Sequence, residues 1–203
     1  MQFSSQITDV LRMDLARGLI CRWFVLVLTM MLVGGLHPLA ANAQVVTTVA
    51  GDGTYGFADG TGTAAQFKYP TGVAVQGDSL FVADGSNDRI RMIILSTREV
   101  TTVAGGTEGF LDGTGTAARF NFPAGVAVQG DSLFVADLFN HRIRKIILST
   151  QEVTTVAGGT EGFLDGTGTA ARFDHPRGVA VQGDSLFVAD RDNNRIRKII
   201  LST

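Results

Sequence analysis

Three near-copies of one segment dominate the chain. Residues 120–150 read FNFPAGVAVQGDSLFVADLFNHRIRKIILST, residues 173–203 repeat them with few changes, and residues 67–97 do so in slightly altered form. A run like VTTVAGGTEGFLDGTGTAAR precedes each copy. Gly72, Gly125 and Gly178 open the three GVAV segments, 53 residues apart. A fixed period of that length belongs to solenoids, propellers and arrays, in which each unit buries its apolar face only by stacking on a neighbour.

Composition narrows this further. Among 203 residues, 17 are basic and 19 acidic, giving a net charge of −2 with no Lys/Arg cluster. That balance excludes nucleic acid as the expected partner, since a phosphate backbone demands clustered positive charge. The single cysteine, Cys21, lies ahead of the repeats, so the repeat region has no internal disulfide to form. Twenty-five glycines and few helix-favouring runs fit an all-β repeat protein.

Residues 1–43 read as a targeting segment. Arg12, Arg17 and Arg22 precede an apolar run at 23–36 (WFVLVLTMMLVGGL), His37-Pro38 interrupts it, and small residues lead to a cleavage point after Ala43. This predicts a signal peptide and a secreted, periplasmic or cell-surface protein beginning at Gln44; a start at Met13 gives a leader of more ordinary length. The alternative is an uncleaved membrane anchor over residues 23–43, the one case in which a membrane becomes a partner. Its apolar run falls short of the roughly 18–20 residues a spanning helix needs. Residues 44–203 then form the repeat region, with repeats at about 46–99, 100–152 and 153–203.

Each repeat reads as four strands. VTTVAG (residues 46–51, 100–105 and 153–158) alternates in character. GVAV (72–75, 125–128, 178–181) is short and apolar. Gly-Asp-Ser, suited to a tight II′ turn, joins it to LFVAD (80–84, 133–137, 186–190). RIRMIIL or RIRKIIL follows from Arg89, Arg142 and Arg195. Continuous apolar runs are buried on both faces, as in blades stacked around an axis; a two-sheet sandwich would alternate more strictly.

The pattern FxxPxGVAV…LFVADxxNxRIRKI resembles the NHL repeat, and the preceding VTTVAGG…DGTGTAARF resembles the leader of such repeats in exported bacterial and some plant proteins. The likeness covers residues 46–203 in three copies. It implies an all-β fold: an NHL-type β-propeller with four antiparallel strands per blade, GVAV innermost and VTTVAG outermost, preceded by the N-terminal signal or hydrophobic helix. Only Asn140-His141 keeps the Asn-His pair, against Asn87-Asp88 and Asn193-Asn194. Propellers close with roughly 4–8 blades, NHL propellers typically with six, and this chain supplies three.

The phase of the ends bears on closure. Residues 46–51 are an outermost strand with no blade before them, and the segment from Arg195 is a third strand lacking its outer partner. Two chains head to tail would complete each other and close a six-bladed ring, a homodimer with two-fold symmetry. The alternative is a fragment with open edges.

Candidate functional residues emerge from comparing residues 100–150 with 153–203. They differ at six positions: Asn121/Asp174, Phe122/His175, Ala124/Arg177, Leu138/Arg191, Phe139/Asp192 and His141/Asn194. These fall in the loops before GVAV and after LFVAD, which leave an antiparallel blade at one end. The expectation is a constant scaffold displaying a variable rim. Its binding residues are Lys68, Tyr69, Asp88, Phe122, Leu138, Phe139, His141, His175, Arg177, Arg191 and Asp192, with a protein or small ligand as partner.

The other polar positions have structural expectations. Asp84, Asp137 and Asp190 cap loop amides; Asp59, Asp112 and Asp165 make turns; Arg89, Arg142 and Arg195, with Arg91, Arg144 and Arg197, form inter-blade ion pairs. No catalytic residue and no cofactor is assigned. His141 and His175 lie on one rim of adjacent blades, but two ligands are fewer than the three a catalytic zinc takes from protein. The functional expectation is a non-enzymatic binding or scaffold module; the alternative is a metal-dependent lyase or hydrolase, because some NHL-type propellers are lyases using His-bound metal.

Overall fold

The computed structural model describes residues 44–201; the leader expected over residues 1–43 lies outside the described residues. The repeats lie in one compact unit that begins at Thr47. They build three antiparallel sheets with no α-helix among the described residues.

The first repeat supplies β1 (Gly60–Thr61), β2 (Pro70–Gln76), β3 (Ser79–Asp84) and β4 (Arg89–Ile94), and the start of the second supplies β5 (Glu99–Gly105). The second continues with β6 (Gly113–Thr114), β7 (Pro123–Gln129), β8 (Ser132–Asp137) and β9 (Arg142–Ile147), followed by β10 (Glu152–Gly158). The third supplies β11 (Pro176–Gln182), β12 (Ser185–Asp190) and β13 (Arg195–Ile200). The sheet orders are β1-β5-β4-β3-β2, β6-β10-β9-β8-β7 and β11-β12-β13. The first two blades thus take their outer long strand from the repeat that follows, the offset expected of a propeller.

Local chemistry explains the strands. β-Branched Val and Ile suit a pleated surface packed on both sides. Gly77, Gly130 and Gly183 take φ of 58°, 58° and 59° at the inner hairpin turns, a conformation a side chain disfavours. The blades stack through their faces: Phe81, Ala83 and Ile90 of the first sheet pack on Val126, Leu133, Val135 and Ile146 of the second. Phe134, Ala136 and Ile143 pack in turn on Leu186 and Val188 of the third. Each Val, Leu, Ile or Phe among them, fully buried, contributes about 1.5–3 kcal/mol. Near the axis the inner strands approach so closely that a Cβ on Gly72 would lie 2.5 Å from the Ala124 carbonyl oxygen, and one on Gly125 would strike the carbonyl of Arg177.

Two details differ from the sequence expectation. The first two blades carry a fifth, two-residue strand (β1, β6) from the DGTGT loop, whose Gly60 and Gly113 pair with Val100 and Val153. The third blade has three strands among the described residues, as expected of a final segment that lacks its outer partner. Residues 46–51 form no strand, because an outermost strand exists only by pairing with a sheet and they pair with none among the described residues.

The charged positions also depart from expectation. Arg91, Arg144 and Arg197 make their ion pairs within a blade, not between blades. Their Nη1 atoms donate to Asp84, Asp137 and Asp190 at 2.9, 2.8 and 2.7 Å, and their Nη2 atoms to Asp59, Asp112 and Asp165 at 2.6, 2.7 and 2.6 Å. The DGTGT aspartates are therefore ion-pair partners as well as loop residues. Arg89, Arg142 and Arg195 instead lay their guanidinium groups over the rings of Phe57, Phe110 and Phe163, at 3.7, 3.7 and 3.8 Å from the centroids. The capping role of Asp84, Asp137 and Asp190 holds: Oδ1 of each accepts from the backbone amide of Lys68, Asn121 or Asp174.

Candidate functional site

Strand register places the variable loops together. Pro123 pairs with Asp137 while Gln129 pairs with Ser132, so the loop entering β7 and the loop leaving β8 share one end of the blade. The third sheet repeats this, with Pro176 opposite Asp190. Two backbone devices aim the side chains there. Tyr69, Phe122 and His175, just before the inner strands, have φ of 49°, 54° and 49°; Asp88 and His141, after short 3-10 turns, and Asn194, in the corresponding turn of the third repeat, have φ of 52°, 52° and 53°. Left-handed backbone at non-glycine residues is uncommon and costs energy. Asp88 meets Phe122 across the first blade junction, and His141 meets His175 across the second. At the first junction Asp88 Oδ1 accepts from the Phe122 amide at 2.9 Å; at the second, His141 Nδ1 accepts from the His175 amide at 3.4 Å. Burial pushes the Asp88 carboxyl above its ordinary range, against the pull of the Phe122 amide.

The expected rim residues divide into groups. Phe122, Phe139, His175 and His141 form a continuous aromatic strip: Phe122 to Phe139 is 5.6 Å between centroids, Phe139 to His175 is 5.5 Å edge-on, and His141 to His175 is 4.8 Å. Offset and edge-on rings at these distances attract one another. Phe139, Arg191, Asp192 and Arg177 are exposed, and so is Lys68. Leu138 is buried in the 3-10 turn Leu138–Asn140, so it supports the rim from beneath and cannot contact a ligand. Arg177 stands within β11, at the register shift between Pro176 and Val179, and not in the preceding loop. Tyr69 belongs to a separate pair on the first blade: its hydroxyl lies 3.2 Å from that of Tyr55, with ring centroids 5.2 Å apart.

Two residues were not singled out by the sequence reading. Tyr55 occupies the position held by Glu108 and Glu161 in the later copies, a difference masked by the extra residue in the first leader loop. Asp174 was visible only as one of the six variable positions. Its Oδ1 lies 2.7 Å from His175 Nδ1 and 3.7 Å from His141 Nδ1, while Asp192 Oδ2 lies 2.9 Å from the same His175 nitrogen. His141, Asp174 and His175 each offer one ligand atom, and these atoms lie within 4.8 Å of one another. The third ligand missing from the pair of histidines is thus supplied by Asp174. His175 Nδ1 carries at most one hydrogen, yet two carboxylate oxygens approach it; a cation among these groups would satisfy both.

The model of the NHL repeat matches residues 120–146 and 173–199. The first copy, although unmatched, folds into the same three inner strands. The chain is 33% identical over 156 residues to the chloroplastic protein SUPPRESSOR OF QUENCHING 1 of Arabidopsis thaliana, covering 70% of this chain and 15% of that protein. It is 31% identical over 157 residues to human NHL repeat-containing protein 2, covering 68% and 22%. The chain therefore spans less than a quarter of the length of these relatives. Among solved structures it resembles an auxiliary nutrient binding protein from Bacteroides ovatus, with TM-score 0.53, 25% identity, and coverage of 60% of this chain and 34% of that one. A protein of unknown function from Bacteroides thetaiotaomicron aligns at TM-score 0.55 and 25% identity, covering 59% and 32%. The repeated strand order, the blade-forming offset and these matches together make this chain a member of the NHL-repeat family.

Proposed function

We propose that this chain is an exported binding module that recognises a protein or small ligand through the variable rim. The observation that carries this reading is the segregation of differences: two repeats identical over every other position from 100 to 150 differ at six, all at one end of the blades. There the side chains form the strip Phe122–Phe139–His175–His141, flanked by exposed Arg177 and Arg191. Aromatic and Arg side chains are the commonest anchors of recognition surfaces. The nutrient-binding description of one structural relative accords with this, and the leader at residues 1–43 motivates the export.

The test is a selection from a displayed peptide library against the 203-residue chain. Enriched peptides are expected to lose at least about tenfold in affinity with Phe139→Ala or Arg191→Ala, the scale of a hot-spot truncation. Gln76→Ala, at the opposite end, is expected to leave them unchanged. Binders that ignore both rim variants would sink the reading.

A second reading, a divalent-metal centre of lyase or hydrolase type, is favoured by one observation: the convergence of His141, Asp174 and His175. Three protein ligands with an open position are what a catalytic zinc takes, and such an ion polarises a carbonyl or lowers the pKa of a bound water. Zinc titrated by calorimetry is expected to bind one ion per chain and to lose that site in His175→Ala and Asp174→Asn. Retention of zinc by both variants refutes this centre without touching the rim reading.

A further inference from the structure

The arc of blades ends in two surfaces that are the separated halves of its own internal interface. The face that blade one presents to blade two, and blade two to blade three, recurs on blade three with none of the described residues packed against it. Ile196 is 76% exposed where Ile90 and Ile143 are 0%. Phe187 is exposed where Phe81 and Phe134 are buried. The opposite half recurs on blade one: Val73 is 66% exposed where Val126 is 6%.

Polar details at the two ends match in the same way. Gln76 and Gln129 each reach across a junction and clamp the turn of the next blade. Gln76 Nε2 donates to the Gly130 carbonyl at 2.8 Å while its Oε1 accepts from the Gly130 amide at 2.9 Å; Gln129 does the same with Gly183, at 2.8 and 2.9 Å. Among the described residues Gln182 has no turn opposite it, and the corresponding turn at Gly77 receives no glutamine. Asp88 and His141 cap the amides of Phe122 and His175; Asn194 has no such amide opposite it, and the equivalent amide, that of Tyr69, receives no such cap among the described residues. Gly178 is a glycine although a Cβ there would meet nothing closer than Ala189 Cβ at 3.6 Å, whereas Gly72 and Gly125 are held to glycine by the neighbouring inner strand. Finally, among the described residues β13 has an unpaired outer edge, and residues 47–51 carry an outer-strand sequence that joins no sheet.

We propose that the free face of blade three binds the free face of blade one on a second copy of this chain, and that two such contacts close a six-bladed ring. The occupant is specified by the residues: each half of each contact (Ile196 with Val73, Gln182 with the Gly77 turn, Asn194 with the Tyr69 amide, β13 with residues 47–51) is the counterpart of a pair already formed twice inside the chain. Six blades fall within the roughly 4–8 that close. A two-fold ring also removes both open sheet edges, which otherwise invite indiscriminate pairing. The inference does not rest on any ligand at the rim.

The experiment uses the 203-residue chain with Cys21→Ser, adding Asn194→Cys and Tyr69→Cys together. Under mild oxidation the double variant is expected to run at twice the mass of one chain, reversibly on reduction, while neither single variant does so. His141→Cys with His175→Cys, the same pair inside one chain, is the control that the geometry permits the bond. Light scattering of the unmodified protein is expected to give twice the mass of one chain, falling to one chain in Ile196→Asp with an unchanged circular dichroism spectrum. A monomer at all concentrations overturns the proposal. So does a series of masses above two, or a dimer that fails to crosslink while the control succeeds.

Discussion

Blades two and three are nearly the same sequence in different surroundings. From residue 100 to 150 and from 153 to 203 only six residues differ, and none of them is Ile143/Ile196, Phe134/Phe187 or Gln129/Gln182. Yet Ile143 is wholly buried and Ile196 is among the most exposed apolar side chains of the described chain. Burial here is a property of the neighbour, not of the strand. What both blades retain regardless of neighbours is internal: the Arg–Asp–Asp cluster and the Phe that its guanidinium overlies. Each blade is thus held together by its own buried ion pairs and joined to the next by apolar faces.

Parallel substitutions in the two blades exploit this comparison. The largest effect is expected from Arg144→Ala, which strands Asp137 in a buried site without its partner; removing one member of a buried pair costs about 3–5 kcal/mol. Arg197→Ala strands the equally buried Asp190 and is expected to cost somewhat less only because Arg197 is itself 9% exposed and its second partner, Asp165, is 82% exposed against 45% for Asp112. Urea unfolding of the two variants reads the difference, and equal costs would show that the third cluster is as enclosed as the second.

Next, Ile143→Ala is expected to lose about 2–5 kcal/mol through cavity formation. Ile196→Ala in the isolated chain is expected to stay within about 0.5 kcal/mol, as for other surface positions. A loss at Ile196 that approaches that at Ile143 and grows with protein concentration would show that the third blade is covered in solution. Gly125→Ala, whose methyl group would strike the Arg177 carbonyl, is expected to cost about 1–3 kcal/mol by overpacking; Gly178→Ala is expected to be near neutral by thermal unfolding. The smallest contrast is Gln129→Ala, losing about 0.5–1.5 kcal/mol per exchanged hydrogen bond at most, against no change for Gln182→Ala in a single chain.

Much of this arrangement could be read before any coordinates. The GVAV, LFVAD and RIRK segments became β2, β3 and β4 and their copies within one or two residues, because period, turn glycines and β-branched composition all agree. The location of the variable positions at one end followed from antiparallel pairing alone. Harder to read were contacts whose partners are distant in sequence. The pairing of Arg91 with Asp59 spans 32 residues, and the motif DGTGT on its own resembles nothing but a turn. The approach of Asp174 to His141 crosses a blade junction, so neither loop announces it. Leu138 looked like a rim residue because it varies, but the 3-10 turn folds it inward.

The sequence by itself determined the repeat, the strands, their order within a blade and the offset by which each repeat finishes its predecessor. These depend on local turn chemistry and alternation, which act over a few residues and are copied with each repeat. The tertiary structure alone decided which identical strands are buried and which stand open, how each arginine divides its bonds between two aspartates, and that two histidines and an aspartate from neighbouring blades converge. Those outcomes depend on what lies across an interface, and near-identical repeats carry no local mark of the neighbour they will meet.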